Sequence, residues 1–185
     1  MNPFTNAKII GSDVKSADYI RTDLKRGDLN YPMSRSELCL FAECPLKWIG
    51  GYRNKASAEM LWGSLVDCLA LTPDDFSREW AIQPETYPAA KGEIKPWSNN
   101  ATYCRQWRKE QAGKRITDAE TLREVETAVH TLKASFNSIL SDCKRQVLVT
   151  AEYHDERTDI TIPVKGLIDI VPNGEFARSL MDLKT

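Results

Sequence analysis

Four ionisable residues in the last third of the chain, Glu152, Asp169, Asp182 and Lys184, lie on stretches that otherwise alternate apolar and polar side chains. Carboxylates and an amine on such strands are costly to bury unless something compensates them, and a divalent cation would. Magnesium takes oxygen ligands in octahedral geometry and keeps several waters, so two or three carboxylates with a substrate phosphate satisfy it. A bound ion lowers the pKa of a coordinated water, orients it and neutralises charge developing on phosphate. A lysine beside that water can stabilise the attacking hydroxide or help to deprotonate it. The group is suited to phosphodiester hydrolysis with Mg²⁺ or Mn²⁺.

An acid-x-Lys triplet alone carries little information. Asp13-x-Lys15, Asp23-x-Lys25, Glu93-x-Lys95 and Asp142-x-Lys144 occur in the same chain. Asp182-x-Lys184 differs in closing a predicted strand that follows, through a tight turn, another strand bearing an acid. Solvated charges at strand ends would give the same pattern, and on pattern alone the two readings stand level.

Side chains two apart on a strand share a face. The period-two stretches Val147–Tyr153, Ile160–Val171 and Phe176–Lys184 predict three consecutive strands, the last two joined at Pro172-Asn173-Gly174. Paired in simple order, they would gather Glu152, Asp169, Asp182 and Lys184 at one end of a sheet. The reading depends on that convergence.

Helices are predicted upstream. Ser34 or Ser36 caps a helix with Leu38, Phe41 and Ala42 on one face. Pro45 opens a further turn carrying Trp48, Ile49 and Tyr52. A helix from Ser57 to Leu71 is expected to bury Met60, Leu61, Ser64, Leu65, Cys68 and Leu69, with Pro73 ending it. Pro84 to Gly113 reads as a long loop with a short helix around Tyr103–Gln111. Thr117-x-x-Glu120 is a capping box that opens the clearest helix, with Leu122, Val125, Val129, Leu132, Phe136 and Ile139 at helical spacing. The expected fold class is α+β, with N-terminal helices packed on an antiparallel β-meander that carries the site. Residues 1–33 read as a polar arm and 34–185 as one domain.

At 185 residues the chain has room for one full-sized domain. Its 42% hydrophobic and 28% charged residues are ordinary for a globular protein. The first residues, Met1 to Lys8, lack the apolar core of a signal peptide, and no apolar run is long enough to suggest a membrane span. An intracellular protein without a membrane role is expected. Cys39, Cys44, Cys68, Cys104 and Cys143 are odd in number and scattered, which argues against a disulfide framework or a closed zinc site. A net charge of −1 means that any DNA must be bound by a local basic patch or through metal bridges. The best such patch is Arg105, Trp107, Arg108, Lys109, Lys114 and Arg115, where an aromatic ring among cations could stack on a base. A solvated helix face with Trp107 turned inward fits the same residues. His130 and His154 stand alone and receive no role.

The order of short motifs along the chain supplies a further argument. Ser34-x-Ser36-x-Leu38-x-x-Phe41-x-x-Cys44-Pro45 is followed by Leu61-Trp62-Gly63-Ser64-Leu65-Val66-Asp67-Cys68-Leu69-Ala70-Leu71. Then come Gly113 to Glu120, Lys165-Gly166-Leu167-Ile168-Asp169 and Met181-Asp182-Leu183-Lys184-Thr185. The series resembles the RecB/RecE-like branch of the PD-(D/E)XK nucleases, and looks closest to phage exonucleases of the RecE type. The resemblance spans about Ser34 to Thr185. It implies a restriction-endonuclease-like α/β fold and a Mg²⁺-dependent or Mn²⁺-dependent DNA exonuclease acting on linear duplex ends in recombination.

By position, the resemblance implies that Asp169, Asp182 and the Leu183 carbonyl hold metal, that Glu152 is the upstream acid, and that Lys184 is the catalytic lysine. Asp67 stands where the family commonly has histidine. Aspartate is also a competent ligand for a hard ion, although a helix-surface acid would look the same. Family members continue past the D-x-K strand with further helices and a Gln-x-x-x-Tyr element. Ending at Thr185 implies a fragment or a shortened protein. Cys44 lacks the carboxy-terminal cysteine cluster of the iron–sulfur relatives, so no cluster is expected. Expected partners are DNA, a single-strand annealing protein and further copies of the chain, in the cytoplasm of a bacterial host. The competing expectation is an inactive or shortened nuclease-like module that binds DNA or a protein.

Overall fold

Alternating β-branched and aliphatic residues from Cys143 onward produce the longest ladder in the chain. In the computed structural model, which describes residues 3–14, 19, 24–52, 56–89, 92–174, 177 and 179–183, the polypeptide is mixed α+β and divides into two units. The first unit comprises residues 1–55 and 138–183, and the second is centred on residues 56–137. No helix among the described residues is long and apolar enough to cross a membrane.

In the first unit, β1 (Phe4–Gly11), β6 (Cys143–Asp155) and β7 (Ile160–Pro172) form an antiparallel sheet in the order β1-β6-β7. The predicted strands at Val147–Tyr153 and Ile160–Val171 are both present, each longer than expected. The third strand of the sheet is β1, which lies within the stretch read from sequence as a polar arm. Its side chains are almost all exposed, so it joins the sheet through its backbone and leaves no apolar stripe to read. The expected strand at Phe176–Lys184 reduces, among its described residues, to one bridge between Met181 and Ile170. Phe176 and Lys184 themselves lie outside the described residues.

Two short helices follow the expected caps. Ser34 caps α1 (Arg35–Glu43) in a full capping box with Glu37, and Pro45 opens α2 (Pro45–Ile49). Tyr31, Met33 and Trp48 form a buried cluster with Leu38, Leu40 and Ile162 packed against it. Met33 also extends the sheet edge. Its N–H donates to the Pro163 carbonyl at 3.0 Å, and its carbonyl accepts from the Lys165 N–H at 3.0 Å.

Glu37 ties this corner together. It accepts hydrogen bonds from the Tyr31 hydroxyl at 2.5 Å and the Ser34 N–H at 3.0 Å, and pairs with Arg26 at 3.3 Å. Burial pushes the Glu37 carboxyl up, but the hydrogen bonds from Tyr31 and Ser34 and the charge of Lys165 outweigh it and hold the group below its ordinary range.

In the second unit, Ser57 caps α3 (Ala58–Leu71), and a 3₁₀ turn at Pro73–Asp75 leads to α4 (Phe76–Glu79) and β2 (Trp80–Ile82). The buried face of α3 is Leu65, Val66, Cys68, Ala70 and Leu71, whereas Met60 is exposed. So many residues of this helix are apolar that spacing alone does not select one stripe. The expected long loop contains an antiparallel hairpin of β3 (Thr86–Pro88) and β4 (Ile94–Pro96), then α5 (Thr102–Glu110). β5 (Arg115–Thr117) pairs parallel with β2 and leads into α6 (Ala119–Leu140). Val125 and Val129 are buried as expected, but Phe136 is exposed at a break in the helix.

The cap of α6 is Asp118, whose carboxylate accepts from the Thr121 N–H at 2.8 Å. Thr117 belongs instead to the buried end of β5. Asp118→Ala is expected to cost about 1 kcal/mol in urea unfolding, with Thr117→Val leaving the start of α6 intact. Equal loss of α6 N-terminal amide protection in the two variants would refute that assignment. For Glu37, whose carboxyl is lowered from 4.5, the stability it contributes is present above that pH and lost as pH falls through the folded value. Glu37→Gln is therefore expected to be less stable than wild type at neutral pH and to lose less on going to about pH 3.5. Parallel losses in the two proteins would exclude this contribution.

Candidate metal centre

The bridge between β7 and the segment after it brings two of the sequence-selected acids onto neighbouring chain segments. Ile170 and Met181 exchange both backbone hydrogen bonds, at 3.1 and 3.0 Å, so Asp169 and Asp182 are the next residues along from the bridge. The Leu183 N–H donates to Oδ2 of Asp169 at 2.8 Å. On the other side, Nε2 of Gln146 lies 3.5 Å from Oδ1 of Asp169, a long contact. Asp169 is half-buried and Asp182 exposed.

Glu152 does not join them. The β6–β7 register sets Glu152 opposite Pro163, and Asp169 lies six positions further along β7. At about 3.3 Å per residue the two Cα positions are roughly 20 Å apart, although alternation gives them the same face. The expectation of four groups at one sheet end is corrected on this point: Glu152 instead accepts from Nδ2 of Asn6 at 2.7 Å. It lines a depression of about 360 Å³ with Lys8, Thr150 and Pro163. The simple strand order suggested convergence because faces are legible from alternation, whereas distance along a ladder depends on where its hairpin turns. Lys184 lies outside the described residues. Asp67 belongs to the second unit, on α3, and its Oδ1 is buried.

The donors present match a hard cation in kind. Two carboxylates and the Leu183 carbonyl are all oxygen ligands of the sort magnesium and manganese accept. Their number is small. Among the described residues, no three acids, histidines or cysteines converge as a metal-binding group. An ion there would complete its shell with water and substrate phosphate, as magnesium ordinarily does.

The basic patch is partly committed to its own unit. Nζ of Lys114 donates to the Ser77 carbonyl at 2.9 Å, and Arg115 lies over the Trp80 ring at 5.5 Å. Arg108 reaches Oε1 of Gln83 at 3.4 Å. Trp107 is half-buried and meets Trp97 edge-on at 5.3 Å, which is the inward packing weighed as an alternative. Arg105 and Lys109 stand a turn apart on α5 and are exposed.

Gln146 was not singled out by sequence reasoning. A lone glutamine between Arg145 and Val147 has no spacing that marks it. No protein-family model, curated protein or solved structure matches the chain.

Proposed function

We propose that the chain is a Mg²⁺-dependent or Mn²⁺-dependent DNA nuclease with a restriction-endonuclease-like arrangement in its first unit, acting on the ends of linear duplex DNA. With Glu152 outside the group the four-residue convergence is lost, and what supports the reading is the meeting of Asp169 with the Met181–Leu183 segment through the Ile170–Met181 bridge and the Leu183-to-Asp169 hydrogen bond. Asp169, Asp182 and the Leu183 carbonyl would hold the ion, and Lys184, two residues beyond Asp182, would act at the attacking water. A bound divalent ion would supply an activated water and charge neutralisation on the phosphate. The Leu183 N–H fixes one oxygen of Asp169, so that carboxylate need not reorient when ligand arrives. Exposed Arg105 and Lys109 would contact DNA phosphates. A single-strand annealing partner, assembly with further copies and action in the cytoplasm of a bacterial host belong to this proposal on the motif resemblance alone.

A second reading has its own support. With Glu152 roughly 20 Å along the sheet from Asp169 and no three-ligand group among the described residues, a nuclease-like module that binds DNA without cutting it is the alternative.

Linear and closed circular duplex DNA, incubated with the protein and Mg²⁺, separate the two readings. Wild type is expected to release nucleotides from the linear form only. Lys184→Ala and Asp182→Asn are expected to lower the rate by about 100-fold or more, and Glu152→Gln to leave it near wild type. Retarded DNA without nucleotide release supports the binding module, and neither cutting nor retardation defeats both.

A further inference from the structure

Gln146 occupies an unusual place for its residue type. It is a polar side chain only 8% exposed, next to the fully buried Val147. Its backbone has φ of +45°, a left-handed conformation inside a long β-strand. A non-glycine residue there carries strain, which persists only where the surroundings over-determine it. The surroundings do so here. The Gln146 carbonyl accepts from the Val14 N–H at 3.1 Å, and the Arg145 carbonyl accepts from the Asp13 N–H at 2.7 Å. The Arg145 guanidinium donates to the Leu140 carbonyl at 2.6 Å.

The ladder to β7 keeps its register on either side of this residue, from Arg145 opposite Ile170 to Val147 opposite Ile168. Gln146 therefore stands level with Asp169 while its backbone turns out of the regular strand, a local distortion of the kind that re-aims a side chain. The amide is aimed at Oδ1 of Asp169, the oxygen not taken by the Leu183 N–H. Donors reaching both oxygens restrict the plane and the rotation of the carboxylate, the Leu183 N–H closely and the Gln146 amide at longer range.

From this geometry we infer that Gln146 is a positioning residue for the Asp169 carboxylate, holding it ready to receive a divalent cation. The inference rests on the metal-centre reading above and adds to it a residue that touches no substrate. Its β6 backbone stores the distortion, and its amide uses it.

The test is Mn²⁺ binding to the full chain without DNA, by titration calorimetry, beside the thermal midpoint of each metal-free protein. Gln146→Met removes the amide at similar volume. Gln146→Gly removes it while relieving the left-handed backbone. Both variants are expected to bind Mn²⁺ about 10-fold to 100-fold more weakly than wild type, with the midpoint of Gln146→Gly no lower than that of wild type. Unchanged Mn²⁺ affinity in both variants overturns the inference. So does a fall in the Gln146→Gly midpoint, which marks Gln146 as a packing residue. Asp182→Asn serves as the control. If wild type binds no Mn²⁺, or binds it no better than Asp182→Asn, the metal centre itself is refuted and the role of Gln146 with it.

Discussion

The antiparallel ladder between β6 and β7 runs without a change of register from Cys143 opposite Pro172 to Asp155 opposite Ile160. Because side chains alternate with a period of two, a slip of one residue would carry every group on these strands to the other face. Asp169, Lys165 and Glu152 thus owe their shared face to one pairing scheme, and Glu152 owes its distance from Asp169 to the same scheme. Among the described residues, the other edge of β7 is met at two points, by Met33 and by Met181. The first joins the capped start of α1 to the sheet, and the second delivers the Asp182 segment to Asp169. Both junctions depend on the ladder holding its place.

What the sequence disclosed divides along the range of the interactions involved. Ser34, Pro45 and Ser57 announce helix starts through contacts three or four residues away, and all three stand where they were expected. The alternation in β6 and β7 likewise reports a local fact. β1 was hidden because its pairing with β6 crosses well over a hundred residues and its side chains are exposed. The cap of α6 passed to Asp118 because Thr117 is held by the short parallel pairing of β5 with β2. The nearness of Asp169 and Asp182 was legible, because a turn after β7 returns the following segment alongside it. The candidate site was illegible in Glu152, whose separation is a property of the hairpin, and in Gln146, whose importance lies in a backbone angle.

The distribution of charge follows the same logic. With a net charge of −1, the chain has no excess of cations to present, and the structure uses several of them internally. Arg26 pairs with Glu37 under the Trp48 ring, Lys114 holds a carbonyl, and Arg115 covers Trp80. An arginine or lysine stem laid along an aromatic surface contributes packing as well as charge. Counting basic residues in a segment therefore overstates what remains for a polyanion, and Arg105 with Lys109 is the exposed pair left on α5.

β1 is an edge strand with exposed Phe4, Ile9 and Ile10, a combination that invites a stray extended chain to add on. Its pairing with β6 shifts register twice, between Thr5 and Lys8 and again between Ile9 and Gly11, with Asn6 in a left-handed conformation. The outward row of amides and carbonyls is consequently out of step with any straight strand laid beside it. The same irregularity that makes β1 hard to recognise works against the addition of a further strand at this edge.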